Sequence, residues 1–349
     1  MSKQLVFYLQ PTASMTPVHA GDARPPRTSR LFSVPFTVPV RHSDRGHFAT
    51  PLAVLPGSLA GVEQWWVEGP CHSDTFQWQN TLMPTATWRQ SVSRDCLVMV
   101  MNWDEQAGSA PLTAEQRTAV TRLVYEQALS QAADLGFDTL LRTWNYLPGI
   151  NRHSGSLDGY QLFCRGREQA LQRLRVQGLF SQAAHPAATA IGTAHGQWQF
   201  VFLFLSPKHP FRALENPRQM PAWQYPECYS PSKPAFARAV LSGASLLCSG
   251  TASVLGHATS HHDNVRLQCE ESLRNMAVLL DMVRKNKDFS APDLREGLFR
   301  VYVRHATHGP IVASILQQHG IKHFALLHGD ICRADLLVEC EAVFGLEHS

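Results

Sequence analysis

No CxxC pair, no run of five or six like charges and no long apolar stretch occurs anywhere in these 349 residues. Each absence removes a class of function. The longest apolar run, Phe200–Leu205, falls far short of the ~20 residues of a membrane span. Only 17% of residues are charged, below the ~25% of average soluble domains, and the formal net charge is +3. With lysine and arginine scattered and no basic helix, nucleic acid is not an expected partner. The apolar piece LVFYL near the start is too short for a secretory signal. Eight cysteines stand singly at 71, 96, 164, 228, 248, 269, 332 and 340, which reads as reduced thiols in a cytoplasm. No GxGxxG or GxxxxGK[ST] loop, no GxSxG elbow and no HExxH or Cys/His set is present, so no cofactor or metal is expected. The histidines of GHATSHHD (256–263) read as loop and helix-start residues. Cys332 with His328 is a poor nucleophile pair, because residues four apart on a strand lie ~13 Å apart.

What is present is 44% hydrophobic residues in repeating strand and helix periods. Residues 10–60, rich in Pro, Ser, Thr and Arg, read as irregular structure wrapped on the body. Strands are expected over 96–103 and 138–148, and helices over 113–136 and 157–178. Thr113 with Gln116 forms a capping box, and Gly136 is a stop signal. Residues 206–236 hold seven prolines without periodicity, as expected of a connecting or functional segment. The pattern then recurs as a strand (244–253), a helix (263–286), a strand (297–306) and a helix (308–320). A closing hairpin is expected from IKHFALLHGDIC and ADLLVECEAVF. The division expected is an N-terminal α+β unit (1–205), a connector (206–236) and a C-terminal α+β unit (237–349), each in strand–helix–strand order.

The last strand carries the chemical question. In LLVECEAVF, Val338, Cys340, Ala342 and Phe344 form one face, while Glu339 and Glu341 share the other with Leu337 and Val343. Two readings stand. Both glutamates line the open face of an edge strand, or one is desolvated and holds a proton near neutral pH, as a general acid must. If the hairpin turns around Arg333–Leu336, Cys332 and Glu339 lie on adjacent strands and, if directly opposed, share one face. Arginines able to fork onto substrate carboxylates are Arg142, Arg165, Arg167, Arg300 and Arg304.

At this point RTWNYLPGIN (142–151), Phe163–Cys164 with Gly166–Arg167, ENPRQMPAWQYPECYSPSKPAFARA (215–239), SGTASVLGH (249–257), VYVRH (301–305) and HGDICRADLLVECEAVF (328–344) resemble the chorismatases, over most of residues 95–345. The C-terminal order SGTAS, Gln268, Glu271, Leu273, Asn275, VYVR and LLVECEAV also resembles the trimeric RidA (YjgF) proteins. The resemblance implies two α+β domains, the C-terminal one RidA-like with a mixed sheet backed by two helices, the N-terminal one a related or degenerate unit. It implies chorismate as a small-molecule substrate and a monomer or homotrimer. It places the catalytic acid on Glu339 and a subtype-separating residue on Cys332, favouring 3-hydroxybenzoate and pyruvate as products, with 4-hydroxybenzoate as an accompanying product in some relatives. By motif position, Arg304 and Arg167 are expected to hold carboxylates, with Tyr160 and Tyr225 orienting the ring. The alternatives are hydrolysis of chorismate to a dihydroxycyclohexadiene carboxylate, and a RidA-like deaminase or non-catalytic ligand-binding protein.

Overall fold

The computed structural model describes residues 8–12, 28–35, 50–58, 62–68, 70–105, 111–194, 196–285, 289–290, 292–345 and 347–348. Two seven-stranded sheets lie face to face, each backed by two helices. The first runs in the order 330–331, 187–193, 139–148, 197–205, 96–104, 87–93 and 71–77. The second runs 212–214, 239–242, 245–252, 338–345, 298–303, 323–328 and 53–54. Helices α1 (Ala114–Asp134) and α2 (Gly159–Val176) cover the first sheet, and α3 (Val265–Arg284) and α4 (Gly309–Gln318) the second.

Strand alternation builds the layers. Along Cys96–Asp104, Val98 and Val100 enter the layer between the sheets while Leu97, Met99 and Met101 meet the helices. Gln197–Leu205 does the same, with Val201 and Leu203 inward and Phe200, Phe202 and Phe204 outward. From the second sheet, Val240, Leu247, Leu298, Ala325 and Leu327 complete the middle layer. Both faces of Cys96–Asp104 and Gln197–Leu205 are therefore largely apolar, as for strands buried on two sides.

Several expected element ends are found. The Thr113–Gln116 capping box opens α1, and Gly136 has φ +82° beyond its end. An unexpected second capping box, Asp158 with Gln161, opens α2. Gly166 lets the two helices touch, since a Cβ there would lie 2.4 Å from the Thr118 carbonyl oxygen. The expected irregular N-terminal stretch falls largely outside the described residues. Within it, Tyr8–Thr12 and Thr28–Pro35 flank Val62–Glu68 in a three-stranded antiparallel sheet. The 206–236 segment is irregular apart from the short strand Arg212–Leu214 and a single turn at Ala222–Gln224.

One expectation is overturned. Residues 321–332 and 335–344 do not form a hairpin. Helix α4 is a crossover connection, so His323–His328 returns parallel to Leu298–Val303. Val338–Gly345 then inserts on the other side of Leu298–Val303, between it and Ser245–Ala252. The chain between these strands crosses to the first sheet, where Ile331 and Asp330 pair with Ile191 and Gly192. Cys332 follows directly on this crossing.

Val338–Gly345 is thus a central strand, and its glutamate-bearing face meets another sheet. The open edge-strand reading is excluded, because Glu339 and Glu341 are each only 4% exposed. Glu341 is matched from both sheets. It accepts from Arg142 Nη2 at 2.7 Å, Trp144 Nε1 at 2.7 Å and Thr189 Oγ1 at 2.5 Å, with Arg300 Nη1 at 3.4 Å. Removing its charge takes the ion-pair partner from buried Arg142 and weakens the electrostatic match of Arg300. Glu341→Gln is expected to destabilise the protein by about 3–5 kcal/mol, read as a lower urea midpoint with unchanged slope.

Candidate active site

Beside Glu341 the ladder is interrupted. Cys248 pairs with Ala342 and Thr251 with Cys340, so Ser249 and Gly250 together oppose Glu341 in a β-bulge. The bulge is stitched to the first sheet. Ser249 Oγ accepts from the Ala188 N–H at 2.9 Å, and the Gly250 N–H donates to Thr189 Oγ1 at 3.1 Å. At Gly250 space is the constraint, since an added Cβ would lie 1.9 Å from Glu339 Oε1. The absent side chain is what gives the Glu339 carboxyl its place.

Among the described residues no hydrogen bond reaches that carboxyl. Burial, with the nearby Glu341 charge adding to it, raises its pKa from 4.5 to about 8, against the opposing pull of Arg142 and Arg238. Below about pH 8 it is a neutral acid with a proton to give. Cys332, half-buried, lies within its electrostatic reach. Desolvation and the Glu339 charge drive the thiol far above its ordinary range, with Arg333 and Arg304 opposing. Cys332 is therefore an uncharged thiol, not a nucleophilic thiolate. His328 Nε2 lies 3.2 Å from the Arg304 carbonyl oxygen, consistent with rejecting a Cys–His pair.

The remaining residues close in from three elements. Helix α2 brings Tyr160, Cys164 and Arg167. The Tyr160 hydroxyl is raised well above 10 by burial and then by the Cys164 and Cys332 thiols, with Arg167 opposing and Glu339 adding a smaller push. Arg167 is buried, stacked on Phe163 at 4.8 Å and within 3.8 Å of Cys164 Sγ. The proline-rich segment brings Tyr225, whose hydroxyl accepts from Arg238 Nη2 at 2.8 Å. This segment is tied to the start of α2, where Gln161 Nε2 donates to the Tyr229 carbonyl oxygen at 2.7 Å. The crossing loop brings Arg333, over the Tyr229 ring at 4.2 Å and the Tyr225 ring at 5.2 Å.

Of the residues expected from sequence, Glu339, Cys332 and Tyr160 thus converge, Arg167 is linked to them through Tyr160 and Cys164, and Tyr225 through Arg238 and Arg333. Arg304 sits behind the loop, its guanidinium engaged by Asp330 and the carbonyls of Ile331, Arg333 and Leu336. Arg142 and Arg300 are committed to Glu341. Gly250, Thr189, Arg238 and Arg333 were missed. Gly250, Arg238 and Arg333 lie in the quoted motifs, but nothing local distinguishes them from their neighbours. Among the described residues no group of three or more His, Cys, Asp or Glu is placed to hold a metal, and no helix is long and apolar enough to cross a membrane.

Fold and site define an α+β protein that buries a neutral carboxylic acid between two helix-backed sheets, with arginines and tyrosines around it. Residues 76–204 match the family model described as chorismatase FkbO/Hyg5-like, N-terminal. A 3-hydroxybenzoate synthase of Streptomyces hygroscopicus is 34% identical over 255 residues, 68% of this chain and 72% of that one. A chorismatase of Streptomyces rapamycinicus is 33% identical over 299 residues, 81% of each chain. A chorismatase crystal structure superposes over 98% of both chains with 28% identity and a TM-score of 0.75. The shorter YjgF gene product of E. coli aligns with 38% of this chain and 98% of its own, at 16% identity and a TM-score of 0.29. The chain belongs to the chorismatase family.

The raised pKa is directly measurable. Carboxyl-carbon NMR over the pH range should show one glutamate titrating near 8 and the signal should vanish in Glu339→Gln. A Glu339 midpoint near 4.5 would contradict the geometry described.

Proposed function

We propose that this chorismatase cleaves chorismate to 3-hydroxybenzoate and pyruvate, with Glu339 as the acid that starts the reaction. The observation that carries this reading is a buried carboxyl, neutral below about pH 8, free of hydrogen bonds among the described residues and flanked by arginines and tyrosines. Chorismate has two carboxylates, a C4 hydroxyl and an enol ether at C3. Protonating the methylene carbon of the enol ether creates an oxocarbenium ion, and its C3–O bond then breaks with release of pyruvate. A positioned neutral acid is the minimal catalyst for that step.

The outcome depends on what reaches C3. Cys332 fills the space a water would use, so the substrate's C4 hydroxyl forms the new C3–O bond and its proton returns to Glu339. The strained product opens to the aromatic ring of 3-hydroxybenzoate. Admitting water instead gives the dihydroxycyclohexadiene carboxylate. Arg167 keeps its expected role as a carboxylate ligand, with Tyr160 and Tyr225 bounding the ring. Arg238 takes the role first expected of Arg304. It is buried, its Nε is without a hydrogen-bond partner, and its charge is felt by Glu339.

Pyruvate release from chorismate, followed with lactate dehydrogenase and NADH, tests the activity. Glu339→Gln should lower turnover by at least ~10²–10⁴ while chorismate binding, read by calorimetry, stays within a few fold. Intact turnover in that variant would remove Glu339 from the mechanism. Cys332→Ala should divert product toward the diol, and an unchanged product ratio by chromatography would refute exclusion of water by the thiol.

A further inference from the structure

Arg304 stands at the end of Leu298–Val303, on the strand expected to offer a substrate-binding guanidinium, yet its donors are directed at the protein. Nε donates to the Leu336 carbonyl oxygen at 2.6 Å. Nη2 donates to the carbonyls of Arg333 at 2.6 Å and Ile331 at 3.2 Å, and Nη1 pairs with the Asp330 carboxylate. Its backbone N–H donates to the Leu337 carbonyl oxygen at 3.0 Å. All of these acceptors lie between residues 330 and 337, the segment that leaves one sheet, pairs with the other and returns. Cys332 is in the middle of it.

The N-terminal unit grips the same segment from the opposite side. Asn151 Nδ2 donates to Asp330 Oδ2 at 2.8 Å and to the Ile331 carbonyl oxygen at 2.7 Å. Asp330 and the Ile331 carbonyl are therefore shared between a guanidinium from the second sheet and an amide from the loop after strand Thr139–Pro148. Gln268 of α3 closes the far end, taking the Leu337 N–H at 2.7 Å and donating to the Asp335 carbonyl oxygen at 2.9 Å.

We propose that Arg304 and Asn151 form a two-sided clamp on residues 330–336 that sets the product of the reaction, by holding the Cys332 thiol where a water would otherwise attack. Arg304 is a positioning residue here, not a ligand for a substrate carboxylate. The inference rests on the reading of chorismate cleavage given above. A planar fork that satisfies four acceptors in different directions has no equivalent in lysine, whose ammonium is a compact donor on a flexible stem. Loosening the clamp lets the thiol move off the water position while Glu339, held on its own central strand, stays in place. The diol should then form at the expense of 3-hydroxybenzoate while pyruvate release continues.

The test is product partition in Arg304→Lys, measured by chromatography alongside pyruvate release. The diol fraction is expected to rise at least about fivefold, with KM for chorismate within about threefold of the parent. Adding Arg304→Lys to Cys332→Ala should produce no further shift, because both changes act on the same thiol. Should Arg304→Lys fail to fold, Asn151→Ala loosens the clamp from the other side and should shift the partition in the same direction. A KM raised about fiftyfold or more with the partition unchanged would show that Arg304 holds a substrate carboxylate and would overturn the clamp. An unchanged partition in both variants would overturn it too. If the parent protein releases no pyruvate from chorismate, the functional reading itself has failed, an outcome distinct from either of these.

Discussion

A carboxylate in the layer between two sheets must be matched from both sides, and the rest of the site depends on how Glu341 meets that demand. Three donors reach it from the first sheet, Arg142, Trp144 and Thr189, while Arg300 approaches from the adjacent strand of its own. A buried charge network of this kind adds little net stability over an apolar core, but any displaced arrangement leaves charges unpaired. It therefore fixes how the two sheets face one another. Glu339, two residues earlier on the same face, is delivered to the bulge at Gly250 and the crossing of Cys332. The Glu341 charge also helps keep the proton on Glu339, so the structural carboxylate and the acid are linked electrostatically as well as by register.

The arginines of this fold are sorted by the acceptors that surround them. Arg142 and Arg300 face a carboxylate and are structural. Arg304 faces backbone carbonyls and Asp330, and organises a loop. Arg167, Arg238 and Arg333 lie against tyrosines and phenylalanines, where part of each guanidinium is met by ring faces and not by carboxylates. An aromatic face partly satisfies a cation without neutralising it, which is the condition suited to receiving an anionic substrate. Cys332 shows the same logic for a thiol, since desolvation keeps it protonated and removes its nucleophilic character.

Much of this was legible in the sequence because the relevant information is local. Periodicity located α1–α4 and the strands at 96–104, 139–148, 245–252, 298–303 and 338–345, though not Ala187–Thr193 or Gln197–Leu205. Thr113 and Gln116 marked a helix start, and the alternation of LLVECEAVF put Glu339 and Glu341 together on one face. The long motifs resembling chorismatases reached Glu339, Cys332, Tyr160, Arg167 and Tyr225. Periodicity says which side chains share a face but not what that face will meet. Whether the two glutamates looked at water or at another sheet was decided only when Ser245–Ala252 and Leu298–Val303 took positions on either side of them. The closing hairpin failed for a related reason, because the crossover through α4 makes the neighbouring strand parallel and sends the chain across to the first sheet. Arg142 and its partner Glu341 lie 199 positions apart in the chain, and Asn151 and its partner Asp330 lie 179 apart. The sequence by itself determined most of the elements, their faces and the pairing of Glu339 with Glu341 on one of them. Tertiary structure decided which arginines meet a carboxylate, which meet backbone carbonyls and why Glu339 is desolvated, because each depends on dielectric and distance, and both are set by residues remote in sequence.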